Sequence, residues 1–287
     1  MSIKVIDADF AKRFKRNKGA MIGLFVILTF SFLAIFAPFL TSYSFDQIND
    51  GALRLGPFTT FESNFYLLGT DDLGRDLFTR LLFGSRVSLF IGFTVVIFSL
   101  VIGTLLGLAA GFYEGIVEKV IMRFVDILMA FPSILLAIVV VSVMGPGLIN
   151  SIIAVGIVSL PSFIRLVRAS VLAEKQKEYV MASRSFGASN FRIMFIEILP
   201  NCLAPMIVQA SLGFSDGILN AAALGFLGLG AQAPTPEWGM MLADSRAYIE
   251  VSPWLVTLPG LCILFCVLRF NILGDGLRDT LDPKLKR

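Results

Sequence analysis

Six long apolar runs, separated by short charged stretches, restrict this 287-residue chain more than any other feature. They cover about 20–40, 87–112, 123–144, 148–166, 202–229 and 254–273. Each approaches the roughly 20 residues a helix needs to cross hydrocarbon. Within them the apolar residues are blocked and do not alternate, the pattern of lipid-embedded helices and not of half-exposed strands. Only 16% of positions are charged against 56% hydrophobic, too little polar surface to cover a soluble globule. A helical membrane protein follows, because a helix satisfies its backbone polar groups internally.

The charges between the runs orient them. Segment 1–19 carries Lys4, Lys12, Arg13, Lys15, Arg16 and Lys18 against Asp7 and Asp9, and such basic flanks stay in the cytoplasm. The first run, 20–40, is longer than a signal-peptide core and reads as an uncleaved anchor. Within the outer segment 41–86, the stretch 41–80 is acidic, with Asp46, Asp50, Glu62, Asp71, Asp72 and Asp76 against Arg54, Arg75 and Arg80, which suits the outer face. Gly69 to Asp76 supplies turn and helix-cap chemistry, after which Leu77, Leu81, Leu82 and Val87 predict a short interfacial helix. The plainer reading of this segment is a structured outer loop; the sharper one is a docking surface. Glu114, Glu118, Lys119 and Arg123 mark a return inside, Gly145-Pro146-Gly147 an outer turn, and Arg165 and Arg168 the inside again. A proline-rich outer loop at 234–239 and a basic tail at 274–287, with Lys284, Lys286 and Arg287, complete the count. The expectation is an all-α polytopic protein of six transmembrane helices with both termini cytoplasmic. Its core is the five-helix stretch 87–273, which contains a cytoplasmic loop at 172–201.

Several side chains within the runs invite a role. Gly103, Gly107 and Gly111 recur every four residues and predict a smooth stripe for close helix packing. Ser215, Asp216 and Asn220 place polar groups in the fifth run, and a carboxylate there is costly unless it meets water or a partner. Asp216 and Asn220 share a helix face, which suits either a solute pathway or hydrogen bonding between helices. Cys202, Cys262 and Cys266 all lie in apolar runs and imply neither a disulfide framework nor a metal site. The chain has no histidine and no P-loop, so neither catalysis nor nucleotide binding is expected of it. Gly225 to Gly230 has dinucleotide-loop spacing but follows a transmembrane run and no strand, so that match is rejected.

The loop between the fourth and fifth runs is the least lipid-like stretch inside the core. Tyr179, Val180, Ala182, Ser183 and Phe186 are interspersed with Lys177 and Arg184, and Gly187 supplies a left-handed stop. A second short helix is expected from Phe191 to Ile198, with Leu199-Pro200 redirecting the chain into the fifth span. Such a loop is long for joining two helices and reads as a docking knob.

At these residues the chain resembles the membrane subunits of ABC importers. Their signature runs Glu-Ala-Ala, three residues, Gly, nine residues, Ile-x-Leu-Pro. Ala182, Gly187, Leu199 and Pro200 match it, while Met181, Ser183 and Glu197 depart. Tyr179 to Arg184 and Leu199-Pro200-Asn201 look instead like the peptide-importer branch. Leu68-Gly69-Thr70-Asp71, Leu73-Gly74-Arg75-Asp76, Phe226 to Gly230, Pro236-x-Trp238-Gly239, Pro253-Trp254, Asn271 and Gly274 to Asp279 resemble the C-type membrane subunit of the peptide and nickel importer family. Asn201 to Pro205 and Ala222 to Phe226 are similar to its dipeptide branch.

The resemblance implies a type I importer permease fold in a bacterial inner membrane. It implies a related B-type permease partner, two cytoplasmic ATPases that hold ATP and magnesium, and an extracytoplasmic solute-binding protein; no nucleic acid is involved. Tyr179, Ala182, Ser183, Arg184, Gly187, Leu199 and Pro200 would receive the ATPase. Ser215, Asp216 and Asn220 would border the pathway, and Asp71, Arg75, Asp76 and Trp238 would meet the binding protein. Dipeptides or short peptides are the expected cargo, with nickel, oligopeptides, glutathione, antimicrobial peptides and haem as alternatives of the same machinery. An ion-coupled secondary transporter is the alternative of a different class. It would need acidic pairs deep in several spans, where this sequence has one intramembrane carboxylate, Asp216.

Overall fold

The computed structural model describes residues 8–281. Lys4 and Asp7 of the N-terminal segment, and Asp282 to Arg287 of the tail, lie outside the described residues. Among the described residues, five helices are long and apolar enough to cross a membrane, or six if one sharply bent pair counts as a span.

α1 (Ala8–Arg16) leads into α2 (Lys18–Leu40), where the Asn17 side chain accepts a hydrogen bond from the Ala20 N–H at 3.1 Å. α2 is apolar on all sides, yet its buried residues are mostly small: Ala20, Gly23, Ile27, Ala34 and Ala37. Small residues let backbones approach in lipid, and a Cβ on Gly23 would lie 2.9 Å from the Arg269 carbonyl oxygen. Phe25, Ile35 and Phe39 are exposed on its far side, where acyl chains would cover them.

The segment after α2 holds a small departure from an all-helical chain. β1 (Thr59–Phe61) and β2 (Asn64–Tyr66) pair antiparallel with Thr60 opposite Phe65. Threonine and aromatic residues suit a half-buried pleat, and the buried Tyr66 ring stacks on Tyr43 at 5.5 Å.

α3 (Leu77–Tyr113) then runs for 37 residues, about 55 Å at the helical rise, well beyond the hydrocarbon. The separate interfacial helix expected before residue 87 is therefore absent. Leu77, Leu81, Leu82 and Val87 are the first turns of α3, because Asp76 caps it at Thr79 N–H (2.7 Å) and no breaker follows until Glu114 at φ 52°. The glycine stripe seats α6 (Leu148–Lys175). A Cβ at Gly103, Gly107 or Gly111 would lie 2.5 Å from Phe163 Cβ, 2.7 Å from Ile164 O and 2.8 Å from Val171 Cβ respectively.

The third run is not one straight helix. α4 (Gly115–Met129) and α5 (Ser133–Met144) meet at 95°, since Pro132 has no N–H to donate and disfavours helical backbone at Phe131. α6 continues past its expected end near 166, and its Arg165 and Arg168 pair with Asp126 (2.9 Å) and Glu118 of α4.

Beyond α7 (Glu178–Ser185), residues Asn190–Phe226 form one helix of 37 residues. It comprises α8 (Asn190–Arg192), a π-helical segment (Ile193–Ile198) and α9 (Leu199–Phe226). Leu199-Pro200 thus does not redirect the chain. The wider π turns, in which Leu199 N–H donates to Met194 O, make room for the proline ring. α10 (Trp238–Ser245) tucks beside α9 and α11 (Trp254–Leu281). Residues 274–281, expected as tail, belong to α11, where a Cβ on Gly276 would meet the Ala20 Cβ at 2.4 Å. The core lies among α2, α3, α9, α10 and α11, where Phe214, Trp238, Leu255 and Phe270 are buried and the Phe214 and Phe270 rings stack.

Candidate functional site

The α6–α9 connection is a small scaffold with one anchored and one open face. Gly187 stops α7 at φ 78°, with Phe186 N–H donating to Ala182 O and Ala188 N–H to Ser183 O (3.0 and 3.1 Å). A Cβ there would meet nothing within 4 Å, so the glycine answers a backbone requirement and not crowding. Ser189 caps the following helix at the Arg192 N–H. Inward, Val180 packs with Ile193, Met194, Ile198 and Cys202 against Phe112, Val167 and Val171. Outward, Phe186 is 91% exposed and Phe191 67%, and Met181 and Ile196 of the same connection are also exposed. Exposed aromatic residues on an otherwise ordered scaffold form the kind of apolar surface that interaction sites present.

The predicted loop residues divide between these faces. Ala182 and Arg184 are exposed, and the Arg184 guanidinium lies 5.9 Å from the Phe112 ring centre. Ser183 is half-buried, and Leu199 and Pro200 sit half-buried at the base of α9, away from the tip. Tyr179, expected among the ATPase-receiving residues, instead turns its hydroxyl to the membrane helices: it donates to Glu174 Oε2 at 2.8 Å and accepts from Asn201 Nδ2 at 3.2 Å, so the hydroxyl serves this junction and not the docking face. Burial, then the Glu174 carboxylate, push the Tyr179 phenol well above its usual range.

Ser215, Asp216 and Asn220 do not act as one polar patch. Ser215 is buried and donates to Val267 O at 3.2 Å, so it ties α9 to α11. Its assignment to a pathway is corrected on that ground. Asn220 donates to the Asp216 backbone oxygen at 2.9 Å. The Asp216 residue is exposed, and among the described residues no hydrogen bond or ion pair reaches its carboxylate.

Asp71, Arg75, Asp76 and Trp238 are not a docking face. Their exposures are 5, 5, 3 and 0% in the isolated chain, so an added partner cannot touch them without opening the fold. Asp71 instead accepts from the Leu73 and Arg75 N–H groups (both 2.9 Å) and binds Arg75 Nε at 2.7 Å and Arg80 Nε at 3.2 Å. Arg80 reaches the Phe45 carbonyl at 3.1 Å and the Pro234 carbonyl at 3.4 Å, joining the α2–α3 segment to the approach to α10. Trp238 Nε1 donates to Leu81 O at 3.3 Å.

Sequence reasoning missed Glu237 between Pro236 and Trp238. It is buried, yet its two oxygens accept from Gly239 and Met240 N–H (2.8 and 2.9 Å), and Ser88 donates at 3.3 Å. A carboxylate one residue before a Trp-Gly helix start was the available capping signal. Burial pushes its carboxyl above the usual range, and these hydrogen bonds oppose that.

Comparison with known proteins draws these features together. The model of the "binding-protein-dependent transport system inner membrane component" family matches residues 103–287, and that of the "N-terminal TM domain of oligopeptide transport permease C" matches 8–57. A di/tripeptide transport system permease protein DppC of Pseudomonas aeruginosa is 54% identical over 97% of this chain and 92% of its own length. A dipeptide transport system permease protein DppC of Escherichia coli K12 is 53% identical over 97% of this chain and 93% of its own. A glutathione transport system permease protein GsiD of Pectobacterium atrosepticum is 46% identical over 99% and 93% respectively. Among solved structures, a chain of the inward-facing MetNI methionine ABC transporter matches at TM-score 0.60 and 20% identity. It covers 72% of this chain and 98% of its own, a likeness of fold. The chain belongs to the family of inner membrane components of binding-protein-dependent transport systems, as a multi-pass transport subunit and not an enzyme.

Proposed function

We propose that this chain is the C-type permease subunit of an ATP-driven importer of dipeptides and short peptides. It pairs in the membrane with a related B-type permease, and a solute-binding protein delivers the cargo from outside. Relatives named for dipeptide transport, at 53–54% identity over nearly the whole chain, support the cargo class. Lys175, Lys177, Arg184 and Arg192 on the α6–α9 connection support its place in the cytoplasm, and with it cytoplasmic termini.

The observation that carries the mechanism is the open face of that connection. Phe186 and Phe191 project from a scaffold whose other face is buried between α3, α6 and α9. One of the two ATPase subunits, which supply the nucleotide and magnesium chemistry, seats against it. Their closure displaces α7, and the apolar anchor passes that displacement to the spans, which alternate between outward and inward access. The exposed Asp216 carboxylate faces the aqueous path between the two permeases, since lipid would not solvate it.

The test is co-purification of the complex and reconstitution into liposomes. Dipeptides delivered by the binding protein should stimulate ATP hydrolysis and accumulate inside. Phe186→Asp should strip the ATPase subunits while leaving the permease pair intact. Dipeptide uptake without ATPases, or full ATPase retention by that variant, refutes the proposal.

A further inference from the structure

Besides the Arg184 guanidinium over the Phe112 ring, the exposed knob is tied to the membrane helices in two ways that differ in kind. The apolar packing of Val180 against Ile193, Met194 and Ile198 is non-directional and lets a short helix slide or roll. The second tie is directional and passes through one phenol. Tyr179, on α7, donates to Glu174 Oε2 at the end of α6 (2.8 Å) and accepts from Asn201 Nδ2 at the start of α9 (3.2 Å). The same Asn201 amide donates to the Glu197 carbonyl at 2.7 Å, and the phenol oxygen lies 3.4 Å from that carbonyl. Lys177 Nζ pairs with the other Glu174 oxygen, so the acceptor is itself held.

This junction sits on the π-helical segment, where Pro200 offers no N–H and the ladder is already widened. Glu197 Oε2 is buried there without a hydrogen-bond partner among the described residues. A helix with a π segment at its base can absorb a push by local rearrangement unless something holds α7 to the turns on both sides.

We infer that Tyr179 is a positioning residue, whose hydroxyl clasps α7 to Glu174 and Asn201 so that displacement of the knob moves α6 and α9 together. The inference rests on the docking role proposed above. A charge-assisted hydrogen bond suits the task because it fixes orientation as well as distance. Without the hydroxyl, α7 still docks the ATPase, but it rolls on its apolar seat and part of each stroke is lost.

The reconstituted full complex tests this. Tyr179→Phe removes one oxygen and keeps the ring. The complex should assemble with both ATPases and hydrolyse ATP, while dipeptide moved per ATP falls about fivefold, the effect of one net hydrogen bond on a two-state balance. Glu174→Ala should give a similar loss, and the double variant Tyr179→Phe/Glu174→Ala no more than either alone. A wild-type transport ratio in Tyr179→Phe, or losses that add in the double variant, overturns the clasp. If the docking role itself is wrong, Phe186→Asp keeps its ATPases; if only the clasp is wrong, Phe186→Asp sheds them while Tyr179→Phe transports normally.

Discussion

Gly107→Ala adds a single methyl where α3 meets α6, and its cost follows from the distances. The new Cβ would lie 2.7 Å from both the Ile164 carbonyl oxygen and Val167 Cβ, and 3.1 Å from Val167 Cγ1. Attractive contact needs about 3.5 Å or more, so the two helices must part by roughly 0.8 Å. Gly103 and Gly111 lie on the same seam, and their own close contacts with Phe163 and Val171 are loosened as well. Overpacking of this kind costs about 1–3 kcal/mol. Alanine's better helix propensity, worth up to about 1 kcal/mol in water, offsets little here, because a helix already formed in lipid gains less from it. The matched control is Gly260→Ala in α11, whose Cβ would meet only Leu242 Cδ2, at an ordinary 3.9 Å. Thermal unfolding in detergent can be followed with a thiol-reactive dye, since Cys202 and Cys266 are buried and Cys262 is half-buried. Gly107→Ala should unfold below the wild type by about 2–4 °C per kcal/mol lost, and Gly260→Ala at or above it. Equal midpoints for the two variants would refute the view that the glycines set the α3–α6 distance.

Asp71→Asn should lose about 3–5 kcal/mol, because it leaves Arg75 and Arg80 buried against a neutral group; unfolding in detergent and yield of folded protein report it. Glu237→Ala strips the acceptors from the Gly239 and Met240 N–H groups and should cost about 1–3 kcal/mol, seen as faster amide exchange at the start of α10. Asp216→Ala should change uptake kinetics while the complex assembles normally, and unchanged kinetics would return Asp216 to a packing role. Asp72 and Asp244 have raised carboxyls, each by burial first and then by the other's charge for Asp244 and by Asp71 for Asp72. A raised acid holds its proton more tightly when folded. These two therefore add local stability as pH falls through their folded values toward the ordinary carboxylate range near 4, and withhold it above. Amide exchange around Leu73 should slow over that window in the wild type, and less so in Asp244→Asn.

The parts of the fold that sequence reasoning reached are those where one residue type answers one physical demand. Long apolar runs answer to hydrocarbon thickness, and the Gly103, Gly107 and Gly111 stripe answers to helix proximity. The parts it missed depend on continuity. Asp76 was visible as a cap, but nothing local said that the helix it starts would run unbroken to Tyr113. Pro132 and Pro200 carry the same local signal and have opposite outcomes. One bends the chain by 95°, and the other is absorbed by a π segment inside a single helix. The difference lies in what packs around them. The turns before Pro200 are held on Phe112, Val167 and Val171, whereas α4 buries only Val125 and nothing comparable holds a straight course at Phe131.

Charged motifs misled for a related reason. Asp71, Arg75 and Asp76 look like surface chemistry because isolated charges belong in water, and Trp238 looks like a hot spot because exposed tryptophan binds partners. Their sequence spacing could not show that Arg80 reaches the Pro234 carbonyl, more than 150 positions away, or that Ser88 meets Glu237. Once those links close, burial is affordable and the motif turns from a landing site into a rivet between the α2–α3 segment and α10. By contrast, Phe186 and Phe191 should be buried by any rule of composition and are not. The chain spends five charged residues, Asp71, Arg75, Asp76, Arg80 and Glu237, on an internal rivet and leaves two phenylalanines bare on an anchored loop; on the docking role proposed above, perturbation at that loop should break the complex before it breaks the fold.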